Sequence, residues 1–299
     1  GRGVLASHTP VATINEVAEL AGVSLKTAAR ILAGGSPRSK KRDLVLDCAR
    51  QLGYVRNQQA ANLRTGRSQL VGIIVPFIDN PFYTKVLQEL HNALWRQGYQ
   101  SLIACSFGQT AGMLSALEFF ESYGVDGVIV DVSEGALSPE ILQRMLRLQQ
   151  RDHPIMIMGG HEYEHRFPHD CVLLDNHSAI RRLVRHLVSR GYRSIGLLGG
   201  LPGNQNIKSR LQGFKAALKE AKLPFVAEHV SLGDPSLGSV TQRAFQLLHS
   251  AKRPEAILCT SDMIAMVVLK GASAADLNVP NDLAVTGFDD IDHAALLTP

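Results

Sequence analysis

His161-Glu162-Tyr163-Glu164-His165 has the H-E-x-x-H spacing that, on a helix, turns two imidazoles toward one zinc ion, with the first glutamate as base toward a bound water. Its setting argues against that use. The motif follows the strand-like run PIMIMGG directly, Pro168 comes soon after, and no apolar helical half precedes it. A chance match is unsurprising in a chain with 11 histidines, so zinc hydrolysis stands only as a minor alternative. LLGGLPGNQN (197–206) follows a strand-like run and could cradle a phosphate at a helix start. It lacks the G-x-G-x-x-G spacing and a well-placed acidic partner, and reads better as a loop lining a ligand. No catalytic set, metal or cofactor is expected.

A different chemistry suits the polar residues that follow the strand-like runs. Arg210 and Asp289 offer a guanidinium and a carboxylate, the pair that holds a hydroxyl-rich molecule by two-pronged hydrogen bonds. Phe82 and Tyr83 can stack on a ring, and Asn80, Gly159 and Ser261 stand at other strand ends. These residues form the expected effector set. Taken singly, each also fits a cap or a turn.

Those positions need a frame, and the pattern from Gln69 onward supplies one. The apolar runs LVGIIVPF, SLIACS, GVIVDV, PIMIMGG, CVLLD, SIGLLGG, AILCTS and LAVTGFD alternate with stretches of helical periodicity. Such alternation means parallel sheets covered by helices on both faces, with ligands at the carboxyl ends of the strands. Glycines in RQGY, SRGY and ESYG cap the helices before the next strand.

The front of the chain is built differently. In TINEVAELAGVSLKTAARIL (13–32), Ile14, Val17, Ala18 and Ala21 recur at helical spacing, and Thr13 with Glu16 can form a capping box. Gly22 ends that helix, Val23 plugs the turn, Ser24 caps a second helix, and Ala28, Ile31 and Leu32 face inward. This is the helix-turn-helix pattern. A third helix starts at Pro37 and Ser39, carries Leu44, Val45, Cys48, Ala49 and Leu52 as its stripe, and stops at Gly53.

Charge agrees with a nucleic-acid-reading head. Residues 1–68 hold 11 Lys/Arg and 4 Asp/Glu, whereas the rest of the 299-residue chain holds 20 and 23. Placed in a major groove, the second helix would turn Leu25, Lys26 and Arg30 to base edges, and Thr13, Ser24 and Thr27 would reach phosphates. Arg38, Lys40, Lys41, Arg42, Arg64 and Arg67 add candidate phosphate contacts. In the connector YVRNQQAANLRTGRS, Asn57 could cap a short helix ending at Leu63, a side chain fit to wedge between base steps.

Hydrophobic content of 45% is ordinary for a globular chain, and the longest apolar runs are too short to span a bilayer. Four scattered cysteines and the lack of a signal peptide suggest the cytoplasm.

The N-terminal block, together with NPFY, RLQGFKAAL, SDMIA and GFDDI, resembles the lactose-repressor (LacI/GalR) family of bacterial transcription regulators. The resemblance runs from residue 12 to 299. It implies an α/β protein with an all-α helix-turn-helix head and a core of two parallel-sheet subdomains like those of periplasmic sugar-binding proteins. The implied divisions are a disordered start or tag remnant (1–11), the head (12–56), a hinge helix and linker (57–68), a first subdomain (69–174) and a second (175–299). The family acts as homodimers or tetramers on palindromic double-stranded operators, with a small effector in the cleft, often a sugar, altering DNA affinity.

By matching position, Leu25, Lys26 and Arg30 resemble the base-reading residues, and Asn57, Ala60 and Leu63 the hinge contacts. Arg210 and Asp289 stand where the family holds a hydroxyl pair. Ala28-Ala29 for Val-Ser, Val55-Arg56 for Arg-Pro, and Gly159 and Pro235 in the ligand region depart from the pattern. The family core also continues past the equivalent of the final LLTP, so its C-terminal crossover is expected to be absent. A sugar-binding sensor without DNA specificity is the alternative function.

Overall fold

The computed structural model describes residues 12–35, 40–55, 66–133, 137–159 and 170–297. Two compact units divide the chain, residues 1–68 and 69–299. The expected hinge residues Asn57, Ala60 and Leu63, the basic residues Arg38 and Arg64, and the His161–His165 motif lie outside the described residues.

The first unit contains α1 (Ile14–Leu20), α2 (Leu25–Leu32) and α3 (Lys40–Gln51). Thr13 and Glu16 form the reciprocal capping box: Glu16 N–H donates to Thr13 Oγ1 at 3.4 Å, and Thr13 N–H donates to Glu16 Oε2 at 2.6 Å. Those bonds hold the Glu16 carboxyl below its usual range. Gly22 takes φ +58°, the left-handed turn that separates α1 from α2, and Ser24 accepts from Thr27 N–H at 3.3 Å to start α2. Val17, Ala18, Ala21, Ala28, Ile31, Val45, Cys48 and Ala49 form the buried centre, with Val23 packed against it.

Two expected core residues are corrected. Leu44 and Leu52 are exposed, while Leu46 and Tyr54 pack on the cluster in their place. Leu44 sits at the rim of a stripe centred on Val45, Cys48 and Ala49, and Leu52 follows the last helical residue. With alanines at half of its centre, the cluster is too narrow to cover either leucine.

The second unit opens with β1 (Leu70–Val75), α4 (Pro81–Arg96), β2 (Gln100–Cys105), α5 (Thr110–Tyr123), β3 (Gly127–Asp131), α6 (Pro139–Gln150), β4 (Ile155–Met158) and β5 (Asp170–Val172). The strands form one sheet in the order β2-β1-β3-β4-β5, all neighbours parallel, with Ile73 beside Ile103 on one flank and Ile129 on the other. Alternate residues serve opposite faces. Ile74, Val128 and Val130 pack on Leu117, Phe120, Ile141 and Met145 from α5 and α6, whereas Ile73, Val75 and Ile129 meet Tyr83 and Leu87 from α4. Apolar residues on both faces are why these strands read as continuous hydrophobic runs. Phe120 lies flat over Gly72, where an added Cβ would come within 2.4 Å of the ring.

A second sheet follows, from β6 (Ile195–Gly199), β7 (Val230–Leu232), β8 (Ala256–Cys259) and β9 (Ala284–Thr286), ordered β7-β6-β8-β9 and again parallel throughout. Its helices are α7 (Asn176–Ser189), α8 (Gln205–Glu220), α9 (Leu237–Leu248) and α10 (Asp262–Ala274). One face packs on α7 and α8 through Ile180, Val184, Phe214 and Leu218, the other on α9 and α10 through Val240, Leu247, Val268 and Ala272. Strand β7 escaped the sequence reading because three half-buried edge residues give no periodic signal. Among the described residues, no helix is long and apolar enough to cross a membrane.

The α7–α8 pair depends on one small residue. A Cβ at Gly213 would stand 2.4 Å from the His177 carbonyl oxygen, so the helices meet backbone to side in the absence of a side chain. Gly213→Ala should therefore destabilise the core by about 1–3 kcal/mol despite its better helix propensity. Chemical denaturation would read that loss, and an unchanged midpoint would refute the close contact.

Candidate functional site: a cleft at the strand ends and a basic helix face

All strands of each sheet run the same way, so their carboxyl ends gather on one edge, the place where open parallel sheets hold ligands. In the second unit these edges converge on a single cavity of about 400 Å³, within the usual range for small-molecule sites. From the first sheet come Asn80, Phe82 and Tyr83 after β1, Asp131 and Ser133 from the end of β3, Met158 and Gly159 from the end of β4, and Val172 to Leu174 from the end of β5. The second sheet supplies Gly200, Leu201 and Asn204 after β6, Pro235 after β7, Thr260 and Ser261 after β8, and Asp289 after β9. The structure thus brings all seven expected effector residues, Asn80, Phe82, Tyr83, Gly159, Arg210, Ser261 and Asp289, to one wall system.

Their local roles differ. Asn80 caps α4 by accepting from Phe82 N–H at 3.0 Å, with Pro81 at the first helical position, which orients the two aromatic rings. Phe82 and Tyr83 meet edge-on with centroids 5.2 Å apart; Tyr83 is buried, so Phe82 is the better placed of the two for stacking on a ligand. Gly159 takes φ +71° beside Ser133, and a Cβ there would sit 3.2 Å from Ser133 Oγ. Ser133 is fixed in turn by Asp131, whose Oδ1 accepts from the Ser133 amide at 2.8 Å and from its hydroxyl.

Arg210 is buried in the second half of the wall. Its Nε donates to Asn176 Oδ1 at 2.8 Å, its Nη1 donates to the Thr260 carbonyl, and its guanidinium lies 3.7 Å above the Phe288 ring. Asn176 Nδ2 donates onward to Asn206 Oδ1 at 2.9 Å. The Thr260 hydroxyl is buried with no hydrogen-bond partner among the described residues, an unusual state for a group in a cavity wall.

Asp289 is set by its loop. Asp262, the first residue of α10, accepts from Ile291 N–H at 2.9 Å and donates its own amide to the Phe288 carbonyl at 2.7 Å. Gly287 passes so close that a Cβ would come within 2.0 Å of Asp262 Oδ1. The loop then turns through φ +109° at Asp289 and +55° at Asp290. Burial raises the Asp289 carboxyl to about 7; Arg210 pulls it back down, and Asp262 adds to the rise.

Asn176 and Thr260 are not among the expected site residues, whereas Asp262 stands beside Ser261 just after a strand. The strand-end rule applied to CVLLD would have reached Asn176, but nothing local marks Thr260 or the anchoring task of Asp262. In the LLGGLPGNQN loop, Gly200, Leu201, Asn204 and Asn206 line the cavity, and Asn204 caps α8 by accepting from Ile207 N–H at 3.2 Å. Gly199 is close-packed instead, since a Cβ there would lie 2.7 Å from Leu232.

In the head, Leu25, Lys26 and Arg30 are exposed along one side of α2, while Ala28 and Ile31 of the same helix are buried. Ser24 and Thr27 bond each other through their hydroxyls at 2.9 Å. Thr13 stands at the start of α1 with its hydroxyl donating to Glu16 Oε2 at 2.9 Å. Lys40 and Lys41 are exposed on α3. The outward side of α2 thus carries two cations, Lys26 and Arg30, and one apolar side chain, Leu25.

Comparison with known proteins matches this organisation. The family model for bacterial regulatory proteins of the lacI family covers residues 13–57, and the model for periplasmic binding proteins and sugar binding domain of LacI family covers residues 68–297. The HTH-type transcriptional repressor PurR of Pectobacterium carotovorum subsp. carotovorum is 27% identical over 290 residues, 97% of this chain and 84% of that protein. The crystal structure of the Lac repressor dimer bound to operator and the anti-inducer ONPF shares the fold with a TM-score of 0.80 at 22% identity, over 96% of this chain and 84% of the other. A complex of the transcriptional regulator CelR with cellobiose has a TM-score of 0.62 at 26% identity, over 94% and 83%. A helix-turn-helix head, two parallel-sheet subdomains around one cavity and both family matches lead to one conclusion: the chain belongs to the LacI family, as a DNA-binding transcriptional regulator with a small-molecule effector.

Proposed function

We propose that the chain is a cytoplasmic, homodimeric repressor that reads a palindromic operator and releases or tightens it in response to a sugar or sugar derivative. The observation that carries this reading is the convergence of strand ends from both sheets on the cavity that holds Arg210, Asp289 and Phe82. A charged pair for vicinal hydroxyls beside an aromatic face suits a carbohydrate. The relative solved with cellobiose supports the same class. A thermal-shift screen of sugars, sugar acids, sugar phosphates and nucleobases tests it, because a true ligand raises stability by mass action. Stabilisation by nucleobases alone would reject the carbohydrate assignment.

On DNA, Lys26 and Arg30 donate to guanine edges and Leu25 touches a thymine methyl, while Thr13, Ser24 and Thr27 contact phosphates. Asn57, Ala60 and Leu63 make the hinge contacts, with Leu63 as a minor-groove wedge. Effector binding changes subdomain closure, and its leverage on the operator equals its preference for one closure state.

Two expected outcomes follow. Arg30→Ala should cost about 1–3 kcal/mol of operator discrimination while leaving weak, salt-sensitive binding to any duplex. Competition with random duplex would measure it, and an unaltered preference would remove Arg30 from the base-reading set. Asp289 has a folded-state carboxyl raised above the unfolded value, so the folded protein binds the extra proton between about pH 4 and about pH 7. Its contribution to stability is therefore fully present below that window and is lost as pH rises through it. Asp289→Asn should flatten that part of the profile by up to a few kcal/mol and abolish effector binding. Melting temperatures across pH 4–8 read the first effect and ligand titration the second, and an unchanged pH profile would contradict the burial of that carboxylate.

A further inference from the structure

Charge in the core is segregated far beyond its near-neutral total. Residues 175–222 carry 10 Lys/Arg and 2 Asp/Glu, whereas residues 69–174 carry 6 and 12, and residues 223–299 carry 4 and 9. The basic stretch is α7, β6 and α8, and β6 is buried, so the cations sit on the two helices and their turns. Arg182, Arg190 and Arg193 are exposed on and after α7; Lys215, Lys219 and Lys222 are exposed on and after α8. One carboxylate lies on the ridge between the helices. Glu220 accepts from Arg185 at 3.0 Å and from Arg181, and these bonds hold its carboxyl below the usual range.

We infer that the outward face of α7 and α8 is a docking surface for an acidic protein segment, separate from the operator-reading head. Arg181 and Arg185 pair with Glu220 on this ridge, so the cations that face a partner are the exposed Arg182, Arg190, Lys215, Lys219 and Lys222. The outward row of α8 extends the surface over a 16-residue helix, about 24 Å long. Lys215 lies 4.8 Å above the half-exposed Phe225 ring, which supplies an apolar patch beside the charges. Nucleic acid fits less well. Phosphate-binding surfaces combine basic side chains with helix N-termini, but the first turn of α8 lines the effector cavity, and Asn176, the first residue of α7, is buried against Asn206 and Arg210. A second copy fits less well too, because a basic face meeting an acidic face elsewhere is a head-to-tail contact that does not close into a dimer.

The test uses the full chain and a fluorescein-labelled poly-L-glutamate peptide, with Arg182→Glu/Lys215→Glu/Lys219→Glu as the variant. These exposed side chains lie outside the cavity and the head, and a thermal melt verifies folding. The wild type should bind the peptide in low salt, and the variant should bind at least about tenfold more weakly while its affinity for random duplex DNA stays the same. A second variant, Arg182→Lys/Lys215→Arg/Lys219→Arg, should retain the peptide. No binding by the wild type overturns the inference. So does equal binding by the charge-reversed variant, which would place the peptide on the head. A matching loss of duplex affinity would make the face a nucleic-acid surface. Wild-type self-association that the variant lacks, read by sedimentation, would make it a contact between copies.

Discussion

Arg210 is the constraint around which the second unit is organised. A guanidinium stays charged when buried, so the protein must supply everything that water would have given it. Three separate segments do so: Asn176 at the head of α7, the Thr260 carbonyl at the end of β8, and the Phe288 ring in the loop after β9. Each is far from the others in sequence, and Thr260 itself lines the cavity beside Arg210. Truncating Arg210 would strand Asn176 and the Thr260 carbonyl as well as empty the space, a cost far above that of a lost surface contact. The same bonds fix the orientation of the guanidinium as the chain folds.

The loop carrying Asp289 shows the complementary half of this arrangement. A carboxylate at φ +109°, withdrawn from water, is unfavourable both in backbone and in charge. It persists because the loop is over-determined: Asp262 binds the Ile291 amide, the Phe288 carbonyl accepts from Asp262, and Gly287 leaves no room for a side chain between them. The SDMIA and GFDDI stretches are thus one structural device, in which Asp262 builds the loop and Asp289 is what the loop presents.

Much of this architecture was legible in the sequence because it rests on local signals. Capping boxes, terminal glycines and two-faced apolar strands act within a few residues, so Thr13 with Glu16, Gly22, Gly98, Gly124 and Gly191 could be read directly. The strand-end rule reached most of the cavity lining because parallel topology makes every strand end face the same way, while Arg210 comes from within α8. What could not be read depends on tertiary neighbours. Leu44 and Leu52 follow a helical stripe but outrun a narrow core, β7 is three residues long, and the buried hydroxyl of Thr260 has no local pattern. The close approaches at Gly72 and Gly213 are likewise visible only once Phe120 and His177 are seen beside them.

What holds the two subdomains in their relation bears on how a ligand can act. The buried hydrophobic clusters divide cleanly among the described residues: two draw only on the first subdomain and two only on the second. An ion pair crosses between them, Lys85 of α4 to Asp292 after the Asp289 loop at 2.8 Å, and both side chains are more than half exposed. Solvent and salt screen such a pair heavily. Among the described residues, then, no buried hydrophobic cluster is shared by the two subdomains. A molecule that touches both walls, through Phe82 on one side and Arg210 on the other, need prefer one arrangement by only a few kcal/mol to shift the population almost completely.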